Sequence, residues 1–307
     1  MELSSIQHIE SDKLVDFQAD LFITSLSPDS RCIAIARYLE AMPCRKIALQ
    51  YSKRTKEQSF LENEAYFREK GFEIIPLVAE IPDVGGLLEG ISSRKLSIIL
   101  DCTCMSQRWY YEFFRWFGES QEAFDEVLIR FAYTMAAFVP DEGVLKVKKV
   151  REFLQIESRK EKSKKALILG LGHEAHVSGT IYKLEKPDLL YLFYADPPVD
   201  KRFVDQVFVN NHALINETPI RNLIAYPITN GQVIYQSLVD IILPIRDEFS
   251  VTLVPHGPKI FSVASMLIHM GYPDTRISYP VFKKKLVQER IPSGEPVVLD
   301  VLFEGEE

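Results

Sequence analysis

The sequence predicts an α/β protein made of two tandem units with mainly parallel sheets, related by internal duplication. Three observations lead there. Residues 21–39, LFITSLSPDSRCIAIARYL, align without a gap on residues 166–184, ALILGLGHEAHVSGTIYKL, at an offset of 145. Both segments read as a short apolar strand, a turn of small and polar residues, and an amphipathic helix, and each leads to another apolar run. Further on, Arg130–Thr134 precedes the similar Arg276–Pro280 by 146 residues, so the repeat spans both halves.

Taken in order, the first half offers strands at Leu21–Leu26, Ile47–Leu49, Ser97–Asp101 and Arg130–Thr134. The second half offers Leu167–Gly172, Leu189–Phe193, Ser250–Val254 and Arg276–Pro280. Short continuous apolar strands separated by helices are buried on both faces, which is the pattern of a parallel sheet covered on both sides. Two Rossmann-like units are therefore expected, an N-terminal one over 1–143 and a C-terminal one over 166–307. Between them, residues 144–165 carry nine Lys or Arg and three Glu, with no Gly or Pro. That stretch reads as a charged, solvated helical connector rather than a nucleic-acid arm. The last residues, Glu304–Glu307, read as a frayed tail.

Composition narrows the class of protein. The 307 residues are 47% apolar and 26% charged, which excludes a disordered or collagen-like chain. No apolar run approaches the roughly 18 residues of a membrane span, and Met1–Ser5 lacks the basic start of a signal peptide, so the expectation is a cytoplasmic protein without a membrane partner. Four cysteines are too few for a disulfide scaffold and are read as reduced thiols. A net charge of −7 argues against a nucleic-acid coat.

Chemistry is expected where parallel strands end, because helix N-termini there present unpaired N–H groups and a partial positive charge. Ser25, Ser27 and Asp29 occupy the first such turn, and Gly170, Gly172 and His173 occupy its repeat. Small residues let a ligand approach the backbone, and hydroxyls can donate to phosphate. A second pair of turns follows later strands: Thr103, Ser106 and Arg108 before a helix rich in aromatics, and His256, Gly257, Lys259 and Ser262 before the helix through Met270. Each combines donors with a cation near a helix start, so an anionic ligand is expected. The aromatics after Arg108 read as core more readily than as a stacking platform. Neither turn has the full G-x-G-x-x-G of a dinucleotide fold or the Lys-Ser/Thr of a P-loop, so no cofactor is expected.

On these turns the chain resembles the CRISPR-associated Rossmann-fold ligand sensors and the SAVED domains, in which two such units are fused. The resemblance spans roughly residues 20–285. Ser25, Ser27, Gly170 and Gly172 stand where those families have their first ligand loop. Thr103, Ser106, Arg108, Gly257, Lys259 and Ser262 stand at their later Thr-Gly-Gly-Thr-Lys-like turn, although the Gly-Gly pair is absent from both copies. What the resemblance implies is a sensor of a nucleotide-derived second messenger in prokaryotic antiviral defence, working through a separate effector or complex subunit.

Two other classes compete. The segment His173-Glu174-Ala175-His176, with Asp196 and His256, offers N and O ligands for a divalent metal that would activate water in a hydrolase, although the spacing is not H-E-x-x-H. The Ser25–Ser30 loop distantly resembles that of ATP pyrophosphatases, without its glycines, and Cys102 with Cys104 makes only a weak soft-metal pair. A non-catalytic scaffold subunit is the third reading. No residue is assigned as catalytic, and the balance leans away from an enzyme.

Overall fold

A computed structural model describes residues 1–51, 55–77, 81–119, 123–139, 145–153, 162–198, 200–283 and 290–305. The chain divides into two compact units, one comprising 1–137 with 289–307 and the other 138–288.

The first unit contains β1 (Glu2–Ile9), β2 (Leu21–Leu26), α1 (Ala34–Tyr38), β3 (Arg45–Gln50), α2 (Gln58–Glu69), β4 (Glu73–Pro76), α3 (Val84–Leu87), β5 (Lys95–Asp101), α4 (Gln107–Glu119) and β6 (Glu126–Ala136). The second contains β7 (Val147–Glu152), β8 (Lys164–Gly170), α5 (Val177–Glu185), β9 (Leu189–Ala195), α6 (Lys201–Glu217), β10 (Leu223–Tyr226), α7 (Gly231–Ile245), β11 (Phe249–Val254), α8 (Lys259–Gly271) and β12 (Arg276–Phe282). The C-terminal strand β13 (Pro292–Glu304) belongs to the first unit.

The first sheet runs β1-β13-β6-β5-β2-β3-β4 and the second β10-β9-β8-β11-β12-β7. Within each, five successive strands are parallel in the order 3-2-1-4-5 counted along that unit: β4-β3-β2-β5-β6 in one and β10-β9-β8-β11-β12 in the other. This is the Rossmann order, reached twice. The duplicated α/β architecture expected from the repeat is therefore present.

Alternation along the strands assigns each helix to a face. In the first unit Phe22, Ala48, Ile99 and Ala132 pack with Ile35, Phe60 and Phe67 from α1 and α2. The neighbouring residue Phe131 points to the opposite face, where its ring lies 5.0 Å from Phe114 of α4. In the second unit Leu167, Leu169 and Leu192 pack with α5 and α6. Phe193 instead meets Phe261 of α8 on the other side, centroids 5.3 Å apart. Full burial of each such ring contributes roughly 1.5–3 kcal/mol. The aromatics of α4 are thus core side chains.

Two boundary expectations are corrected. The charged stretch 144–165 is not a helix where it is described. Its residues Val147–Glu152 form β7, an edge strand antiparallel to β12, and Val147 and Val150 pack on the second core. The lysines between them belong to an exposed edge, where charge discourages further strand pairing. Residues 144 and 154–161 of that stretch lie outside the described ones. The second correction concerns the C-terminus, which was assigned to the second unit. Strand β13 lies between β1 and β6, antiparallel to both, and Val297, Val298, Leu299, Val301 and Phe303 are buried. Glu304 closes that strand rather than starting a tail. Strands β7 and β13 begin 145 residues apart, the offset of the repeat, and each pairs with the last parallel strand of the other half of the sequence.

The cysteines among these residues are free thiols, with Cys32 and Cys102 buried. Among the described residues, no helix is long and apolar enough to cross a membrane.

Candidate functional site

In each sheet the first and fourth parallel strands lie side by side, β2 with β5 and β8 with β11. Their following helices cover opposite faces, so the two turns meet at the carboxyl edge, the usual ligand position in open α/β sheets. The residues singled out in each unit converge on that edge.

In the first unit the edge is closed by its own polar groups. The Ser27 hydroxyl accepts from the Asp29 N–H at 3.2 Å, and the Ser27 carbonyl accepts from Asn63 Nδ2 of α2 at 2.9 Å. Asp29 caps the short 3-10 turn Ser30–Ile33 by accepting from the Arg31 N–H at 3.0 Å. It also takes two bonds from the Arg31 guanidinium, Nε at 3.1 Å and Nη2 at 2.8 Å. Burial alone would raise the Asp29 carboxyl, but Arg31's hydrogen bonds and charge outweigh it and hold the group below its ordinary value. On the neighbouring strand Asp101 accepts from Thr24 Oγ1 and from the Thr103 N–H, both at 2.9 Å. The Thr103 hydroxyl accepts from the Thr134 N–H at 2.9 Å.

Ser27 and Thr103 are therefore held within the turn network rather than displayed, and Ser25 is fully buried with a hydroxyl that has no hydrogen-bond partner. The Ser106 hydroxyl accepts from the Trp109 N–H at 3.3 Å at the head of α4, and Arg108 in that turn is exposed. Trp109 is covered by Tyr51, whose ring stacks on it at 4.1 Å and whose hydroxyl donates to the Cys104 carbonyl at 3.0 Å.

The second unit builds the same edge from smaller residues. A Cβ on Gly170 would stand 2.7 Å from the Phe261 ring, and one on Gly172 would stand 2.6 Å from His256 Nε2 and against the Glu174 carboxylate. Gly257, at φ 155°, passes so close to the other turn that a Cβ would lie 3.0 Å from the Leu171 carbonyl. Only glycine fits these approaches. Asn211 Nδ2 of α6 donates to the Gly172 carbonyl at 3.0 Å, and Asn210 Nδ2 donates to the His173 carbonyl.

The Glu174 carboxylate lies 3.2 Å from His256 Nε2, with side chains 18% and 11% exposed. Burial would raise the Glu174 carboxyl, yet the attraction and hydrogen bond of His256, with a contribution from His173, carry it far below the ordinary value. His173 sets its ring edge-on to Phe203 at 5.5 Å. Lys259 opens α8, and Ser262 is fully buried one turn later.

The alternative metal triad does not assemble. His176 is exposed in the left-handed conformation at φ 65°, and His256 is committed to Glu174. Among the described residues, no group of three His, Cys, Asp or Glu side chains comes together as metal ligands. Conversely, Asn63 and Asn211 organise the edges without having been singled out, whereas Arg31, Asp101 and Glu174 lie in turns the sequence already marked. One signal was available: Asp29 and Glu174 fall on each other at the offset of 145, an acid retained in both turns.

The fold and its paired edges define a duplicated α/β protein of Rossmann strand order. No protein-family profile and no curated protein sequence matches the chain. Among solved structures it is similar to the cytoplasmic domain of a prokaryotic cation chloride cotransporter, at 12% identity over 86% of this chain and 96% of that one, with a TM-score of 0.27. A likeness at that score says nothing of function.

Proposed function

We propose that the protein binds a nucleotide-derived anionic ligand at the carboxyl edges of its parallel strands and acts as a sensor of that ligand rather than as a catalyst. The observation that supports this reading is the meeting, in each unit, of the turn after the first strand with the turn after the fourth. In the second unit that meeting is as close as the approach of Gly257 to the Leu171 carbonyl. Such an edge receives nucleotides in open α/β sheets because backbone N–H groups and helix starts face it. Arg108 and Lys259, each in the first turn of a helix at such an edge, supply charge. The resemblance to fused second-messenger sensors extends the reading to antiviral defence and to a separate effector.

Isothermal titration against a panel of mononucleotides and cyclic oligonucleotides tests the proposal. Wild type is expected to bind at least one member without fast turnover, and Arg108→Ala or Lys259→Ala to weaken that binding about tenfold while leaving the fold intact. No binding to any member would overturn the proposal in favour of a scaffold. Rapid conversion of a bound member would overturn it in favour of an enzyme.

A further inference from the structure

The second sheet ends in β7, and among the described residues no strand pairs with its outer side. The backbone of β7 alternates between the two sides. Phe153 donates its N–H to the Ile277 carbonyl of β12 at 2.9 Å, so the residues two and four earlier, Arg151 and Lys149, bond inward as well, opposite Tyr279 and Val281. Val150 between them turns its N–H and C=O to the open side, across from Pro280, which has no N–H to offer it.

The side chains give this edge a single sign. Lys148 is the extra residue of a bulge, since Val147 stands opposite Phe282 and Lys149 opposite Val281. The bulge lets Val147 and Val150 both reach the second core and leaves Lys148 exposed at the edge. Lys149 and Arg151, exposed too, alternate onto the face away from that core. Lys146 accepts from the Lys283 N–H at 2.9 Å through its carbonyl, which brings two more exposed cations to the same strand. Five cations thus line roughly 16 Å of edge. Among the described residues none of them takes part in an ion pair.

Cations on other strands are matched: Arg45 by Glu73 at 2.9 Å, Lys95 by Glu126 at 3.0 Å and Arg130 by Asp300 at 2.7 Å. A single charged side chain already keeps a like edge away. A row of unmatched cations, on a chain whose net charge is −7, does more, because it repels a second copy of itself and draws in a strand of opposite sign.

We infer that the β7 edge docks an acidic segment of a partner protein as an added strand. Two features together define that partner. Val150 offers backbone groups that only another polypeptide continues as a ladder. The cations stand both at the bulged edge and on the face beyond it, so an extended chain, whose side chains recur about 7 Å apart on each face, sets carboxylates against them. A phosphodiester chain satisfies the charges and leaves the ladder open. The inference does not rest on the nucleotide reading; it concerns the surface through which a sensor would reach a separate effector.

Fluorescence anisotropy of labelled probes with the full chain tests it. The probes are a short peptide alternating Glu with Thr, the same peptide with Gln for Glu, the acidic peptide with its central Thr residues replaced by Pro, and oligo(dT). Lys148, Lys149, Lys201 and Arg221 are all exposed, so Lys148→Glu with Lys149→Glu, and the control pair Lys201→Glu with Arg221→Glu, change the net charge equally without touching the core. Circular dichroism confirms the fold of each. The acidic peptide is expected to bind at low salt and to weaken steeply as salt rises. Lys148→Glu with Lys149→Glu should weaken it about tenfold or more, the control pair far less, and the Gln and Pro peptides should bind at least about tenfold more weakly than the acidic one. No binding of the acidic peptide, equal binding of its Pro form, or an equal loss in the control pair would overturn the inference. Tighter binding of oligo(dT), lost with the same two lysines, would also overturn it and give the edge to nucleic acid. Mononucleotide and cyclic oligonucleotide titrations decide the nucleotide reading separately, so either proposal can fail without the other.

Discussion

Asn211 donates its side-chain amide to the carbonyl of Gly172 at 3.0 Å, and Asn63 makes the same bond to the carbonyl of Ser27, 145 residues earlier, at 2.9 Å. Each asparagine lies on the helix after the second parallel strand of its unit, and each fixes the turn after the first. The helix thereby holds the turn in place, a device kept through the duplication although the turns themselves have diverged.

Removing either amide should leave a buried carbonyl without its donor. Asn63→Ala and Asn211→Ala are expected to cost about 1–3 kcal/mol each, read as a lower urea midpoint at unchanged slope. An unchanged midpoint in both would mean that water replaces the amides and that the turns are not held from these helices.

The Asp29–Arg31 pair should behave differently from a surface ion pair. The Arg31 side chain is only 7% exposed, so Asp29→Ala strands a buried guanidinium and is expected to destabilise by roughly 3 kcal/mol. Replacing both, as Asp29→Ala with Arg31→Met, should recover much of that loss, because the penalty belongs to the unpaired charge. Denaturation of the two variants side by side decides the matter. Equal destabilisation by the single and double replacements would refute it.

Glu174 makes a prediction about acid. Its carboxyl is depressed in the folded protein, so its contribution is fully present above the ordinary glutamate value of about 4.3 and is lost as the pH falls through the lower folded value. The stability difference between wild type and Glu174→Gln should therefore shrink on acidification below about pH 4. A difference independent of pH down to 2 would show that the contact with His256 contributes nothing.

Fold class was legible because it rests on local periodicity and on a repeat that survives at an offset of 145. Apolar runs such as Leu21–Leu26 and Leu167–Gly170 announce strands buried on both faces, and the turns after them announce the edge. Sheet membership was not legible. Val147–Glu152 reads as a charged linker until its valines are seen against the second core, and Pro292–Glu304 joins the first sheet through pairing that no local pattern encodes. The site divides in the same way. Gly172 and Gly257 could be suspected from the sequence, whereas the burial of Ser27 and Thr103 depends on Asn63 and Thr134, distant in the chain. Asn63 and Asn211 carry no local signal, since an asparagine inside a helix has to be seen against its partner before its role is apparent.

The C-terminal strand carries the last prediction. Strand β13 separates β1 from β6, and Arg130 of β6 faces Asp300 across the pair with two bonds of 2.7 Å. The same guanidinium donates to the Lys13 carbonyl at 2.8 Å and lies 4.1 Å from the centre of the Phe17 ring, so the strand also anchors the chain between β1 and β2. Ending the chain after residue 288 would remove an interior strand and leave a buried cation, a loss that a marginally stable unit does not survive. Hydrogen exchange should then show β2, β5 and β6 losing protection while β8, β9 and β11, whose sheet lacks no strand, keep theirs. Asp300→Ala in the full chain should act in the same direction more gently, by roughly 3 kcal/mol confined to the first unit. Retained protection of β2 and β5 in the shortened chain would mean that the first sheet is complete without its C-terminal strand, and that the exchange of β7 and β13 between the two halves of the sequence has no part in holding the fold.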